Sequence, residues 1–145
     1  DLEVKVMDFG LCRPAESELT MADHIMGTPL YISPEQLVDG VVDHRADIFS
    51  LGSVAYEALV GVSPFAGETL SEVLDNVIAH APVSPCELNP ELPEAVQGIL
   101  AGMLRKEPGE RYQSMVPLIL DLEDFMLEGE LPTLRVMPSS LPDWT

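Results

Sequence analysis

The sequence is poor in cysteine, in basic residues and in long apolar runs. Its two cysteines, Cys12 and Cys86, are too few for a disulfide framework and lack the spacing of metal ligands. No stretch of about twenty apolar residues is present, so no membrane-spanning helix is expected. The opening Asp1-Leu2 begins no basic segment of the kind that starts a signal peptide. We therefore expect one compact domain with reduced thiols, in the cytoplasm by default.

Basic residues are scarce: 7 Lys and Arg stand against 25 Asp and Glu, which gives a net charge of -18. Such a charge repels nucleic acid and anionic membrane surfaces, and it attracts basic protein partners. A substrate peptide rich in Arg or Lys is one interpretation of this imbalance, and general solubility is the other. The scatter of acidic residues along the whole chain favours solubility.

The segment from Asp43 to Gly61 is predicted to be the central helix. Apolar or small residues occur around its whole circumference, which is typical of a helix buried on all sides. Asp43 suits the N-cap, and Gly61 suits the left-handed position that ends a helix. Asp47 lies one turn inside this segment, where an unpaired buried carboxylate would be very costly. It is either an exposed first-turn charge or a buried group with a hydrogen-bond partner.

Other elements follow from periodicity and capping signals. Alternation over residues 2–7 predicts a short half-buried strand. A capping box at Thr69 opens an amphipathic helix through His80, and Pro93 can start the next helix. A last helix is expected over residues 115–127, with Pro117 in its first turn. The apolar stripes of these helices are predicted to be core: Val96, Ile99, Leu100, Met103 and Leu104 in one, and Leu118, Ile119, Leu122, Phe125 and Met126 in the other.

Five short motifs occur in one order along the chain. They are Asp8-Phe9-Gly10, Gly27-Thr28-Pro29, Ser33-Pro34-Glu35, Asp47-Ile48-Phe49-Ser50-Leu51-Gly52 and a late Arg111. In this order and at these separations the sequence resembles a Hanks-type serine/threonine protein kinase of bacterial character. The resemblance covers residues 1–125 and implies a mainly α, kinase-like C-terminal lobe with a short N-terminal β element. Residues 126–145 are expected to form a loosely packed tail.

The resemblance implies a role for each of the first two motifs. Asp8, with Phe9 and Gly10, would hold the magnesium ion that bridges the ATP phosphates. Taken alone, this tripeptide is a weak signal, and a simple turn at Gly10 is the other interpretation. The run Gly27, Thr28, Pro29, Leu30 and Tyr31 would shape the peptide site, with the Thr28 hydroxyl supporting the catalytic aspartate. That pattern points to protein substrates phosphorylated on Ser or Thr.

Six further residues have roles by the same resemblance. Glu35 would form a bidentate ion pair with Arg111, and Ser33 would cap the short helix that carries Glu35, where the family more often has alanine. Asp47 would accept hydrogen bonds from the backbone of the catalytic loop. Ser17 and Thr20 lie in the stretch that corresponds to the activation loop, and they are either phosphorylation sites or unmodified surface hydroxyls.

Several parts of a protein kinase are absent from the printed sequence. It contains no glycine-rich loop, no paired lysine and glutamate of the ATP-binding lobe, and no His-Arg-Asp tripeptide. Because these parts precede Asp-Phe-Gly in the family order, truncation is the simplest explanation. The isolated chain is then expected to be inactive and to show an exposed apolar face beside an under-satisfied Asp47. The alternative function is a non-catalytic, pseudokinase-like lobe that binds protein partners.

Overall fold

The computed structural model describes residues 29–38 and 41–128, which are helical with irregular connections and contain no strand. A 3-10 helix at Pro29–Tyr31 comes first. Six α-helices follow, and a second 3-10 helix at Pro108–Glu110 lies between the last two. The α-helices are α1 Pro34–Leu37, α2 Arg45–Val60, α3 Leu70–Ala79, α4 Pro85–Leu88, α5 Glu94–Met103 and α6 Met115–Glu128. None of the helices in these ranges is long and apolar enough to cross a membrane. The predicted strand at residues 2–7 lies outside the described residues.

Helix α2 contributes to both clusters of the hydrophobic core. One cluster joins α2 to α3 and α5 through Phe49, Tyr56, Phe65, Val77, Leu100 and Leu104. The other joins α2 to α5 and α6 through Ile48, Ile99, Met103, Tyr112 and Leu118. The central position predicted for this segment is therefore confirmed, and α5 presents its predicted stripe to both clusters.

The prediction that α2 is buried on all sides is wrong. Asp47, Leu51, Val54 and Ala58 are exposed, and these four positions follow one another along a single side of the helix. An apolar residue here does not mean burial, because the described elements pack on only part of the helix circumference. The expected exposed apolar face is present, at Leu51 and Val54.

The ends of α2 follow the predicted chemistry with a small shift. The helix begins at Arg45, and the Asp43 carboxylate accepts a hydrogen bond from the Arg45 amide at 2.9 Å. Hydrogen bonds from Arg45 hold the pKa of Asp43 well below its ordinary value, at about 2. Gly61 ends the helix with φ of 87°, the left-handed conformation that favours glycine.

The later helices match their predicted bounds closely. The Thr69 hydroxyl accepts a hydrogen bond from the Glu72 amide at the start of α3, and Pro93 occupies the N-cap of α5. Helix α6 runs to Glu128, three residues into the stretch expected to be tail, and Pro117 lies in its first turn. Three of its predicted core residues are instead exposed: Ile119, Leu122 and Met126.

Candidate functional site

The predicted site residues divide into two groups in the structure. The metal and cofactor residues Asp8, Phe9 and Gly10 lie outside the described residues, as do Ser17, Thr20, Gly27 and Thr28. Inside the described residues lie the 3-10 helix Pro29–Tyr31, Glu35, Asp47 and Arg111. The site geometry can therefore be built from α1, α2 and the loop before α6.

A short helix places Glu35 towards the interior. Ser33 precedes α1, Pro34 occupies the first turn, and the Gln36 side chain accepts a hydrogen bond from the Ser33 amide at 3.0 Å. This bond from the N-cap amide to the side chain of the third helical residue is one of the two that define the predicted capping box. Because α1 is fixed at its start, the next residue, Glu35, is held in a buried position.

Glu35 and Arg111 form the bidentate ion pair that the family resemblance implies. The two terminal nitrogens of Arg111 donate to the two carboxylate oxygens of Glu35, each at 2.6 Å. The Arg111 side chain is fully buried and that of Glu35 nearly so. The pair joins residues 76 positions apart and so ties α1 to the segment before α6. The two parallel, charge-assisted hydrogen bonds give it geometric specificity.

Arg111 also satisfies backbone carbonyls from two parts of the chain. It donates to the carbonyl oxygens of Arg105 at 2.6 Å, Lys106 at 2.9 Å and Arg45 at 3.0 Å. Its guanidinium carbon lies 4.9 Å from the centre of the Phe49 ring, within range of a cation–π interaction. Arg111 therefore links α1, the first residue of α2 and the loop after α5 through one side chain.

The protonation of Glu35 reflects this environment. Burial by itself raises the pKa of the carboxyl, but hydrogen bonds from Arg111 and from backbone groups outweigh burial, and the pKa is lowered from its ordinary value. Glu35 is therefore the ionised partner that a buried guanidinium needs.

The 3-10 helix Pro29–Tyr31 is attached to α2 at two points. The Ser50 hydroxyl donates to the Tyr31 carbonyl at 2.6 Å, and the Tyr31 hydroxyl donates to a carboxylate oxygen of Glu57 at 2.8 Å. This hydrogen bond to Glu57 raises the pKa of Tyr31 above its ordinary value. Ser50 and Glu57 are two helical turns apart. Helix α2 therefore binds both the backbone carbonyl and the side-chain hydroxyl of Tyr31.

The sequence prediction missed Ser50 and Glu57 as site residues. Both lie in the predicted central helix, where Ser50 belongs to the Asp47 motif but was given no role of its own. Their spacing of seven residues places them on one side of a helix. This spacing could have indicated that the two side chains bind the same neighbouring segment.

Lys106 follows α5 in the chain but contacts α3. Its amine donates to carbonyl oxygens near the end of α3, those of Asn76 at 2.9 Å and Val77 at 2.6 Å. The amine also lies 3.8 Å from the centre of the Phe65 ring. Burial, followed by the positive charge of Arg111, lowers the pKa of Lys106 to about 7.

Asp47 is exposed at the start of α2, so water can hydrate its carboxylate. The interpretation of Asp47 as a buried group is therefore wrong for this structure. Its contact with a catalytic loop stays a prediction. In the two described ranges no group of His, Cys, Asp and Glu side chains could hold a metal ion. The predicted magnesium ligand, Asp8, is not among those residues.

Comparison with known proteins gives a family. The sequence profile of the protein kinase domain matches residues 1–119. A probable serine/threonine-protein kinase of Clostridium perfringens, CPE1738, is 35% identical over 97% of this chain and 20% of its own length. The serine/threonine-protein kinase PknL of Mycobacterium tuberculosis is 36% identical over 94% of this chain and 34% of its own.

A third relative carries a different residue specificity in its name. The tyrosine-protein kinase MasK of Myxococcus xanthus is 40% identical over 87% of this chain and 20% of its own length. The chain thus spans only 20% to 34% of the length of these three relatives.

A solved structure supports the same fold. The chain containing titin kinase and its flanking domains superposes with a TM-score of 0.63 at 21% identity, over 79% of this chain and 20% of that one. The helical architecture, the Glu35–Arg111 pair and the profile match agree with one another. This chain belongs to the protein kinase family and is of the Hanks type, with bacterial serine/threonine kinases among its relatives.

Proposed function

We propose that this chain is part of a serine/threonine protein kinase, which transfers the γ-phosphoryl group of ATP to Ser or Thr of protein substrates. The observation that carries the proposal is the double attachment of Pro29–Tyr31 to α2 through Ser50 and Glu57. A phosphotransferase works mainly by positioning its reactants, and a peptide-binding segment must therefore be held rigidly. The Glu35–Arg111 pair fixes the chain directly after that segment.

The remaining roles come from the family resemblance. Asp8, with Phe9 and Gly10, would bind magnesium and ATP, and an aspartate oxygen is a donor that this hard cation prefers. The bound ion would neutralise charge on the phosphates. Gly27 would shape the peptide site, and Thr28 would orient the catalytic aspartate that a complete kinase supplies.

We further propose Ser and Thr, rather than Tyr, as the acceptor residues. The Gly27-Thr28-Pro29 run is the pattern that serine/threonine kinases carry, although one relative is named a tyrosine kinase. The acidic chain favours substrates with basic residues near the acceptor. Phosphorylation of Ser17 or Thr20 would regulate the enzyme by adding a charge that an arginine can pair with. The site of action is the cytoplasm, where ATP is available.

The 145-residue chain by itself is proposed to be inactive. Its sequence contains no aspartate in a His-Arg-Asp context and no glycine-rich loop to cover the phosphates. Adding ATP, magnesium and a peptide to the purified chain should therefore give no phosphopeptide.

The test is a chimaera in which residues 1–145 replace the matching part of PknL, called here the PknL chimaera. We expect it to transfer phosphate from ATP to Ser and Thr peptides and not to a Tyr peptide that is otherwise identical. Asp8→Asn should abolish transfer, whereas Glu91→Gln, at an exposed position in the turn after α4, should leave it unchanged. Intact PknL is the positive control.

Two results would contradict the proposal. A folded PknL chimaera that binds ATP but transfers nothing would favour the non-catalytic, partner-binding alternative. Preferential labelling of the Tyr peptide would overturn the acceptor assignment and leave the family unaffected.

A further inference from the structure

Helix α6 presents an extended apolar surface on its outward side. Leu118 and Asp121 are the buried residues of the helix, and Asp121 accepts a hydrogen bond from the Tyr112 hydroxyl at 2.7 Å. The opposite side is exposed over its whole length, with Ile119 at 50% and Met126 at 82%. We call this side the outer α6 surface, and its apolar members are Val116, Ile119, Leu120, Met126 and Leu127.

One acidic residue lies in the middle of the outer α6 surface. Glu123 is exposed, and the residues three and four positions before and after it are all apolar: Ile119, Leu120, Met126 and Leu127. A partner that covers these neighbours must also surround the Glu123 carboxylate. Burying this charge without a counter-ion is costly, so the covering surface needs a cation at that point.

The charge around α6 also favours a cationic partner. The helix contains no basic residue, and its last turn, where the helix dipole is negative, ends with Glu128. The basic residues within the described ranges all bind groups of this chain: Arg45 binds Asp43, Arg105 lies 3.8 Å from Glu110, Lys106 binds carbonyls, and Arg111 binds Glu35. The outer α6 surface therefore carries a negative charge that this part of the chain does not neutralise.

We propose that the outer α6 surface binds a basic amphipathic helix of a protein partner, with a lysine or arginine placed opposite Glu123. The apolar side chains would supply buried area, and the Glu123 pair would set the register of the partner helix. The exposed Met126 is a flexible side chain that adapts to different apolar partners. A second copy of this chain fits poorly, since two bodies of charge -18 repel each other, and an anionic membrane is repelled likewise.

This inference goes beyond phosphoryl transfer, and its test needs neither ATP nor an active kinase. The probe is a labelled leucine–lysine peptide as long as α6, 14 residues, with leucines at helical spacing and one lysine centred in the leucine face. A second peptide carries glutamate at that centre, and a third has the first composition in scrambled order. Binding to the 145-residue chain is measured by fluorescence anisotropy at about 0.15 M salt.

We expect the lysine-centred peptide to bind at least about tenfold more tightly than the scrambled one. Glu123→Lys should weaken binding of the lysine-centred peptide about tenfold and strengthen binding of the glutamate-centred one. Non-specific attraction to an acidic protein would not reverse the preference between the lysine-centred and glutamate-centred peptides in this way. Hydrogen exchange should slow in residues 115–128 when the peptide is bound.

Matched substitutions locate the site. Ile119→Ser with Met126→Ser should abolish specific binding. Leu70→Ser with Ile78→Ser on α3, at exposed positions of 51% and 40%, should leave it unchanged. These side chains are exposed, so the variants should fold, and circular dichroism checks this. Equal affinity for the scrambled peptide, equal loss in both double variants, dimerisation through α6 or binding to anionic vesicles would each overturn the proposal.

Discussion

At the scale of single residues, Arg111 has the largest number of roles in the described structure. It pairs with Glu35, donates to three backbone carbonyls and packs on the Phe49 ring. A buried guanidinium is stable only when all its donors have partners. The sequence predicted the pair with Glu35, because the spacing of the motifs resembles that of kinases. It did not predict the three carbonyls, since backbone partners depend on the path of the loop after α5.

Glu35→Gln tests the importance of this pair. The substitution keeps the shape of the side chain but leaves the buried Arg111 charge without its counter-ion, so the free energy of unfolding should fall by about 3 kcal/mol. Asp43→Asn is the matched control. It breaks the more exposed pair with Arg45 and should cost at most about 1 kcal/mol. Urea unfolding of the 145-residue chain measures both, and equal losses would contradict the central position of the Glu35–Arg111 pair.

Lys106 gives a prediction about pH. Its pKa is about 7 in the folded chain and ordinarily 10.5, so between these values the unfolded chain binds more protons than the folded one. Stability must then rise with pH across that window, because folding releases the Lys106 proton and this release costs less free energy as the pH approaches 10.5. Relative to Lys106→Met, the wild-type chain should become more stable from pH 7 to pH 10. A flat difference between the two stability profiles would show that the pKa of Lys106 is not lowered.

At the scale of elements, the contact between α2 and α5 depends on a glycine. A Cβ atom at Gly52 would lie 2.8 Å from Met103 Cβ and 3.1 Å from Leu104 Cδ2. The two helices can approach this closely only because Gly52 has no side chain.

Gly52→Ala should therefore destabilise the chain. Overpacking costs about 1–3 kcal/mol, which exceeds or equals the gain of about 1 kcal/mol from the better helix propensity of alanine. Gly109→Ala is the control, since a Cβ there meets nothing within 4 Å. Thermal unfolding should show a lower midpoint for Gly52→Ala than for Gly109→Ala. The opposite order would mean that α2 and α5 can separate without cost.

The bounds of the helices were predictable from the sequence, but which of their residues are buried was less predictable. Capping residues such as Thr69 and Gly61 act through nearby backbone groups, so local sequence identifies them. Burial of Leu51 or Ile119 depends on which elements lie beside the helix, and an apolar residue gives no information about that. For the same reason the sequence did not indicate that Lys106 binds carbonyls of α3, which are distant along the chain.

At the scale of the whole molecule, the basic residues of the described part are bound internally, whereas the acidic side chains described there, apart from Glu35 and Asp121, are exposed or half-buried. This distribution is the electrostatic basis on which we propose cationic peptides as partners. The fold class could be predicted because the ordered motifs resemble one family. The support of Pro29–Tyr31 by Ser50 and Glu57 could not, because it depends on a contact between segments rather than on a motif.

The central claim is that α2 holds Pro29–Tyr31 as the peptide-binding segment of a kinase. The most direct test is Tyr31→Phe in the PknL chimaera, measured as kcat/KM for a Thr peptide and, separately, KM for ATP. Losing the hydrogen bond to Glu57 should lower kcat/KM for the peptide about tenfold and leave KM for ATP unchanged. Glu57→Gln should act in the same direction, and combining the two substitutions should add little. An unchanged kcat/KM for the peptide in Tyr31→Phe, or an equal rise in KM for ATP, would contradict the account.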